Sequence, residues 1–172
     1  MSTAITDLEL QVPDRFVALF RLSLIDEVRY GADWVKDQGT ELAKFYEAED
    51  PIDHHDKPVE LDPETLEARL ADLSAASRSL SDDHNLLERI SRHNSPQQDL
   101  TVRGSFETLH GALQATVRRA AKDMVNEGEY SPIDGARLVH RAAAATWAAE
   151  QSARLTDAVL AADAGITEEV PA

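Results

Sequence analysis

Four groups of residues in this 172-residue chain have the types and spacing to do chemistry. The first is Asp53-His54-His55-Asp56, preceded by Glu47, Glu49 and Asp50. Imidazoles beside carboxylates are the donor set of Zn, Fe, Mn and Ni sites, and the extra acids raise affinity for a dication. A divalent metal is therefore the one cofactor the chain implies, with Asp53, His54, His55 and Asp56 as its ligands. Adjacent histidines seldom aim both rings at one ion without ligands from elsewhere, so a solvated acidic loop with no cofactor is the leading expectation and the metal its alternative.

The second group is Glu107-Thr108-Leu109-His110, an E-x-x-H of the kind that projects two ligands from one helix face in di-iron carboxylate bundles. Those sites need a second copy, which this sequence lacks, and a surface or boundary pair is expected instead. His84 forms a third case on a seam of leucines, where a satisfied core histidine is expected. His140 and Trp147, seven residues apart on one helical face, read as a packing edge.

The fourth group is basic. Arg118, Arg119 and Lys122 converge with Arg137 and Arg141 if the turn between them makes a helical hairpin. Asp123, Glu127, Glu129 and Asp134 lie in the same stretch, so Val117 to Arg141 sums to only +1. Ion pairing within the chain is the expected reading, and a patch for an anion or an acidic partner is its rival. Aromatic residues for stacking on nucleotides are not interleaved there.

Other chemistries are excluded by composition and motif. With no Cys, the chain has no disulfide scaffold, thiol nucleophile or thiolate-held metal cluster. It carries no P-loop, dinucleotide-binding glycine motif, G-x-S-x-G elbow or H-E-x-x-H. A net charge of -15 repels nucleic acid as a whole-molecule field, which makes nucleic acid an unexpected partner.

The elements that must position these groups are helices. Alanine numbers 26 and leucine 19, against 6 Ile, 11 Val and 9 aromatics, a bias that supports helix and starves strands. Residues 1–12 read as a flexible leader, 13–165 as a single helical domain and 166–172 as an acidic tail. Pro13-Asp14 opens a first helix running to about Ala48, with a bend or break allowed at Gly31 or Gly39. Asp62-Pro63-Glu64 opens a second, over 63–93, as one helix or as two divided at Ser81. On it Leu66, Leu70, Leu73, Ser77, Leu80, His84 and Leu87 form a heptad seam.

A loop is expected from Asn94 to Gly104. The third helix follows Ser105 and stops near Gly128, carrying Phe106, Leu109, Leu113, Val117, Ala120 and Met124 on one face. Ser131-Pro132-Ile133-Asp134 starts a fourth, with Leu138, Ala142, Ala145, Ala149, Leu155 and Val159 facing inward, and Gly165 ends it. Comparable lengths and short connections give an all-α fold, an antiparallel up-down four-helix bundle.

No apolar run reaches the roughly 20 residues of a membrane span, and the start has neither basic head nor signal core. A cytoplasmic protein is expected. Long amphipathic helices without a catalytic constellation point to a small acidic interaction or assembly protein, non-catalytic, binding a protein partner or itself through the Leu seam or the Ala-rich face. The alternatives are a metal- or small-ligand-binding bundle built on the His54-His55 loop, and an acidic regulator that binds a basic protein or mimics nucleic acid.

Overall fold

Alternation of apolar and polar side chains governs the first element. In the computed structural model, which describes residues 8–47, 63–92, 98–130 and 135–167, the segment Leu8–Val12 is a strand, β1. Leu10 and Val12 are buried while Glu9 and Gln11 are exposed, the period of two that a half-buried strand requires. Its partner is β2, Leu100–Gly104, with the same pattern at Leu100, Thr101, Val102 and Arg103. The two pair antiparallel with Leu8 opposite Gly104 and Val12 opposite Leu100. Both strands correct the sequence reading: Leu8–Val12 lies in the expected leader and Leu100–Gly104 in an expected loop. Overriding the helix-rich composition, the β-branched and leucine positions of each segment bury one face into the core.

Four helices account for nearly all the other described residues, so these are mostly helical with a small two-stranded sheet. Helix α1 spans Asp14–Glu47 without interruption at Gly31 or Gly39. The Asp14 amide donates to the Asp99 carboxylate at 3.0 Å, so a residue ahead of β2 caps the helix that follows β1. Helix α2 is one helix, Pro63–Ser91. Helix α3, Phe106–Tyr130, begins on Ser105, whose Oγ accepts from the Thr108 amide at 3.2 Å and sits 2.9 Å from the Thr108 hydroxyl. Gly128 is therefore inside α3 rather than beyond its end. Helix α4 runs Gly135–Thr167, past the expected stop at Gly165. The expected cap at 131–134 and most of the expected tail lie outside the described residues.

Two compact units are packed separately: Met1–Glu27 with Asn85–Ala172, and Val28–His84. In the first unit, the core joins Leu10, Val12, Phe16, Leu19, Phe20 and Leu24 to Leu86, Ile90, Leu100, Val102, Leu109 and Leu113. Phe16 and Phe20 meet Trp147 at ring-centroid distances of 5.4 and 6.2 Å, as a packing edge should. Each large apolar side chain removed from water in this way contributes about 1.5–3 kcal/mol.

Helices α3 and α4 run antiparallel along each other, Asp123 meeting Arg141 and Gln114 meeting Ser152. Their shared face is built of small side chains, with Ala112, Ala115, Thr116 and Ala120 buried on α3 and Ala144, Ala148 and Ser152 buried on α4. That differs from the expected face of α4, since Ala142 and Ala149 are exposed. The hydroxyls are absorbed locally: Thr116 Oγ1 donates to the Ala112 carbonyl at 2.9 Å, and Ser152 Oγ accepts from Gln114 Nε2 at 3.1 Å.

In the second unit, α1 and α2 approach closely enough that a Cβ built on Gly31 would lie 3.3 Å from Leu80 Cδ1. Leu42 is buried there. Of the expected seam on α2, Leu66, Leu73 and Leu80 are half-buried, whereas Leu70, Ser77 and His84 are exposed. Ser77 Oγ turns back to the Leu73 carbonyl at 2.8 Å, and His84 is no core histidine.

Candidate functional site

The charges on α3 and α4 are gathered by the hairpin geometry, which sets the last turns of one against the first turns of the other. Arg118, Arg119 and Lys122 are on α3, Arg137 and Arg141 on α4. Asp123 stands between the helices and takes one guanidinium on each oxygen. Arg119 Nε donates to its Oδ1 at 3.2 Å and Arg141 Nε to its Oδ2 at 3.0 Å. All three side chains are largely withdrawn from solvent, with 20–28% of their surface exposed.

The remaining counter-ions come from α1. Arg118 Nη2 donates to Glu27 Oε1 at 2.6 Å, and Arg119 Nη1 pairs with Asp26. The Asp26 hydrogen bond holds the Arg119 guanidinium above its ordinary pKa, partial burial opposes this, and the charges of Asp26 and Asp123 add to the rise. Sequence reasoning named Asp123 as a counter-ion and missed Asp26 and Glu27. Acids more than 90 positions away, on an unremarkable stretch of α1, carry no local signal.

Beside this network the surface opens into a depression of about 480 Å³ lined by Ala136, Arg137, His140 and Arg141. His140 is fixed at its edge. Its Nε2 donates to the Arg15 carbonyl at 2.8 Å, and its ring meets Phe16 edge-on at 5.5 Å. The Arg15 guanidinium lies over the same Phe16 ring, 4.6 Å from its centroid. Arg137, His140 and Arg141 of the α4 start, His140 being absent from the sequence-derived patch, thus line one cavity. Lys122 and Arg118 are not among its lining residues.

The other candidates separate. The Asp53-His54-His55-Asp56 ligand set lies outside the described residues. Glu107 is exposed and His110 stacks on Phe106 with centroids 5.0 Å apart, which uses its ring for packing. Among the described residues no group of three or more His, Asp or Glu side chains could hold a metal ion, and no helix is long and apolar enough to cross a membrane. Compared with protein-family models, curated proteins and solved structures, the chain matches none.

Proposed function

We propose that this protein is a non-catalytic helical assembly protein of the cytoplasm that associates with a second copy of itself through the outer face of α4. The observation that carries this reading is that α4 is apolar on two opposite sides. Its inner side, Ala144, Ala148 and Leu155, packs in the core, while Val139 and Leu160 are 70% and 61% exposed on the outer side. Between them lie the exposed side chains of Ala142, Ala143, Thr146, Ala149 and Ala153, with the exposed charges Glu150, Arg154 and Asp157 confined to the half toward Leu160. An exposed apolar stripe opposite the core-facing one is ordinarily covered by a partner.

A two-fold partner suits this face better than a charged one. From Val139 to Ala149 the exposed positions Val139, Ala142, Ala143, Thr146 and Ala149 carry no charge. An isologous contact there meets no like-charge repulsion despite the net charge of -15. Alanines let two helix axes approach closely, as they do between α3 and α4. The up-down arrangement of all four helices belongs to the same reading, supported by the antiparallel α3–α4 pair.

Size-exclusion chromatography with light scattering, run across protein concentration, tests it. A dimer for the native chain and a monomer of unchanged helicity for Val139→Glu/Ala149→Glu are expected. A native chain that stays monomeric at every concentration overturns the proposal.

A further inference from the structure

We propose that the depression at the start of α4 binds the phosphate group of a small molecule, with Arg137, His140 and Arg141 as its ligands. The depression, about 480 Å³, is open to solvent and so offers a phosphate a one-sided seat, with the moiety carrying it left outside.

Two guanidinium forks and an imidazole line one concavity. Arg recognises phosphate in bidentate fashion, and that geometry needs a guanidinium whose plane is held. Asp123 does this for Arg141 by accepting from its Nε at 3.0 Å, on the edge away from the paired Nη donors. Arg141 is also only 28% exposed, so its charge acts in a partly dehydrated setting where a charge-assisted bond is strengthened.

In its neutral form the His140 ring favours phosphate over sulfate. Its Nε2–H is committed to the Arg15 carbonyl, which leaves Nδ1 as the nitrogen a ligand meets. On a neutral ring Nδ1 accepts, and on a charged ring it donates. A phosphate carrying one proton satisfies the first state through P–OH, and its dianion satisfies the second. Sulfate has no proton to give the neutral ring. The proposal is independent of self-association, because it uses different side chains from the outer face of α4.

The test is an NMR titration of the full chain with inorganic phosphate, against sulfate at matched ionic strength. Saturable shifts of the His140 ring and of the Ala136, Arg137 and Arg141 amides with phosphate are expected, with sulfate at least tenfold weaker. Arg137→Gln alters an exposed side chain, and Arg141→Lys keeps a cation for Asp123 while losing the planar fork. Each should weaken phosphate binding at least tenfold with the aromatic signals of Phe16 and Trp147 unchanged. Shifts that never saturate, an equal response to sulfate, or variants that bind phosphate as the native chain does would overturn the proposal.

Discussion

Asp123 ties two helices together, because one carboxylate receives Arg119 from its own helix and Arg141 from the next. Asp123→Asn should cost about 1–3 kcal/mol in urea unfolding, since both partially buried guanidiniums lose an ionised acceptor. Glu27→Gln breaks a pair whose Arg118 side chain is 61% exposed and should cost less than about 1 kcal/mol. The pH dependence of the network has a definite sign on the arginine side. The Arg119 pKa is raised in the folded chain, so its contribution is complete below the ordinary arginine value and is lost only in strong alkali. Urea midpoints compared from neutral to mildly alkaline pH should show no loss from this pair. The basic residues and Asp123 were legible in the sequence as a convergent cluster, because a short turn between two helices fixes which ends meet. Asp26 and Glu27 were not, since only the tertiary placement of α1 brings them to Arg118 and Arg119.

At the scale of elements, helices were readable where the residues contrast. Pro13-Asp14 and Ser105 mark starts that the structure shares, while Leu109, Leu113 and Ala120 are buried as their spacing requires. Helix α4 gave the wrong inner face because Ala142 to Ala149 is nearly uniform in polarity, and a periodic pattern needs a difference to read. The strands were hidden by length. Five alternating residues at Leu8–Val12 and five at Leu100–Gly104 did carry a period of two, outweighed by a helix-forming composition. Packing now separates two neighbours on α4. Ala148→Leu, at a fully buried position, should destabilise by about 1–3 kcal/mol through overpacking, whereas Ala149→Leu should leave monomer stability within about 0.5 kcal/mol, both read by thermal unfolding. Gly39 lies mid-helix with open space around its missing Cβ, so Gly39→Ala should raise stability by about 0.5–1 kcal/mol in the same measurement.

For the whole molecule, the net charge of -15 is less evenly informative than its size implies. Its basic members Arg118 and Arg119 on α3 are met by α1 and by Asp123, so their charge is balanced within the first unit rather than offered to partners. If association runs through the uncharged exposed positions between Val139 and Ala149 on α4, raising the salt concentration should leave the dimer intact or tighten it, as light scattering would show; dissociation by salt would point to charge pairing instead. The sheet sets a further condition, on when the protein can fold. Strand β1 has no partner until β2 exists, roughly 90 positions later in the chain, and at about 5–20 residues per second that is a delay of several seconds on the ribosome. The whole of Val28–His84 is made within that interval. Of the two strands, the one made earlier therefore waits for the other, and until then Leu8, Leu10 and Val12 emerge from the ribosome as an unpaired apolar edge that nascent-chain binders can hold.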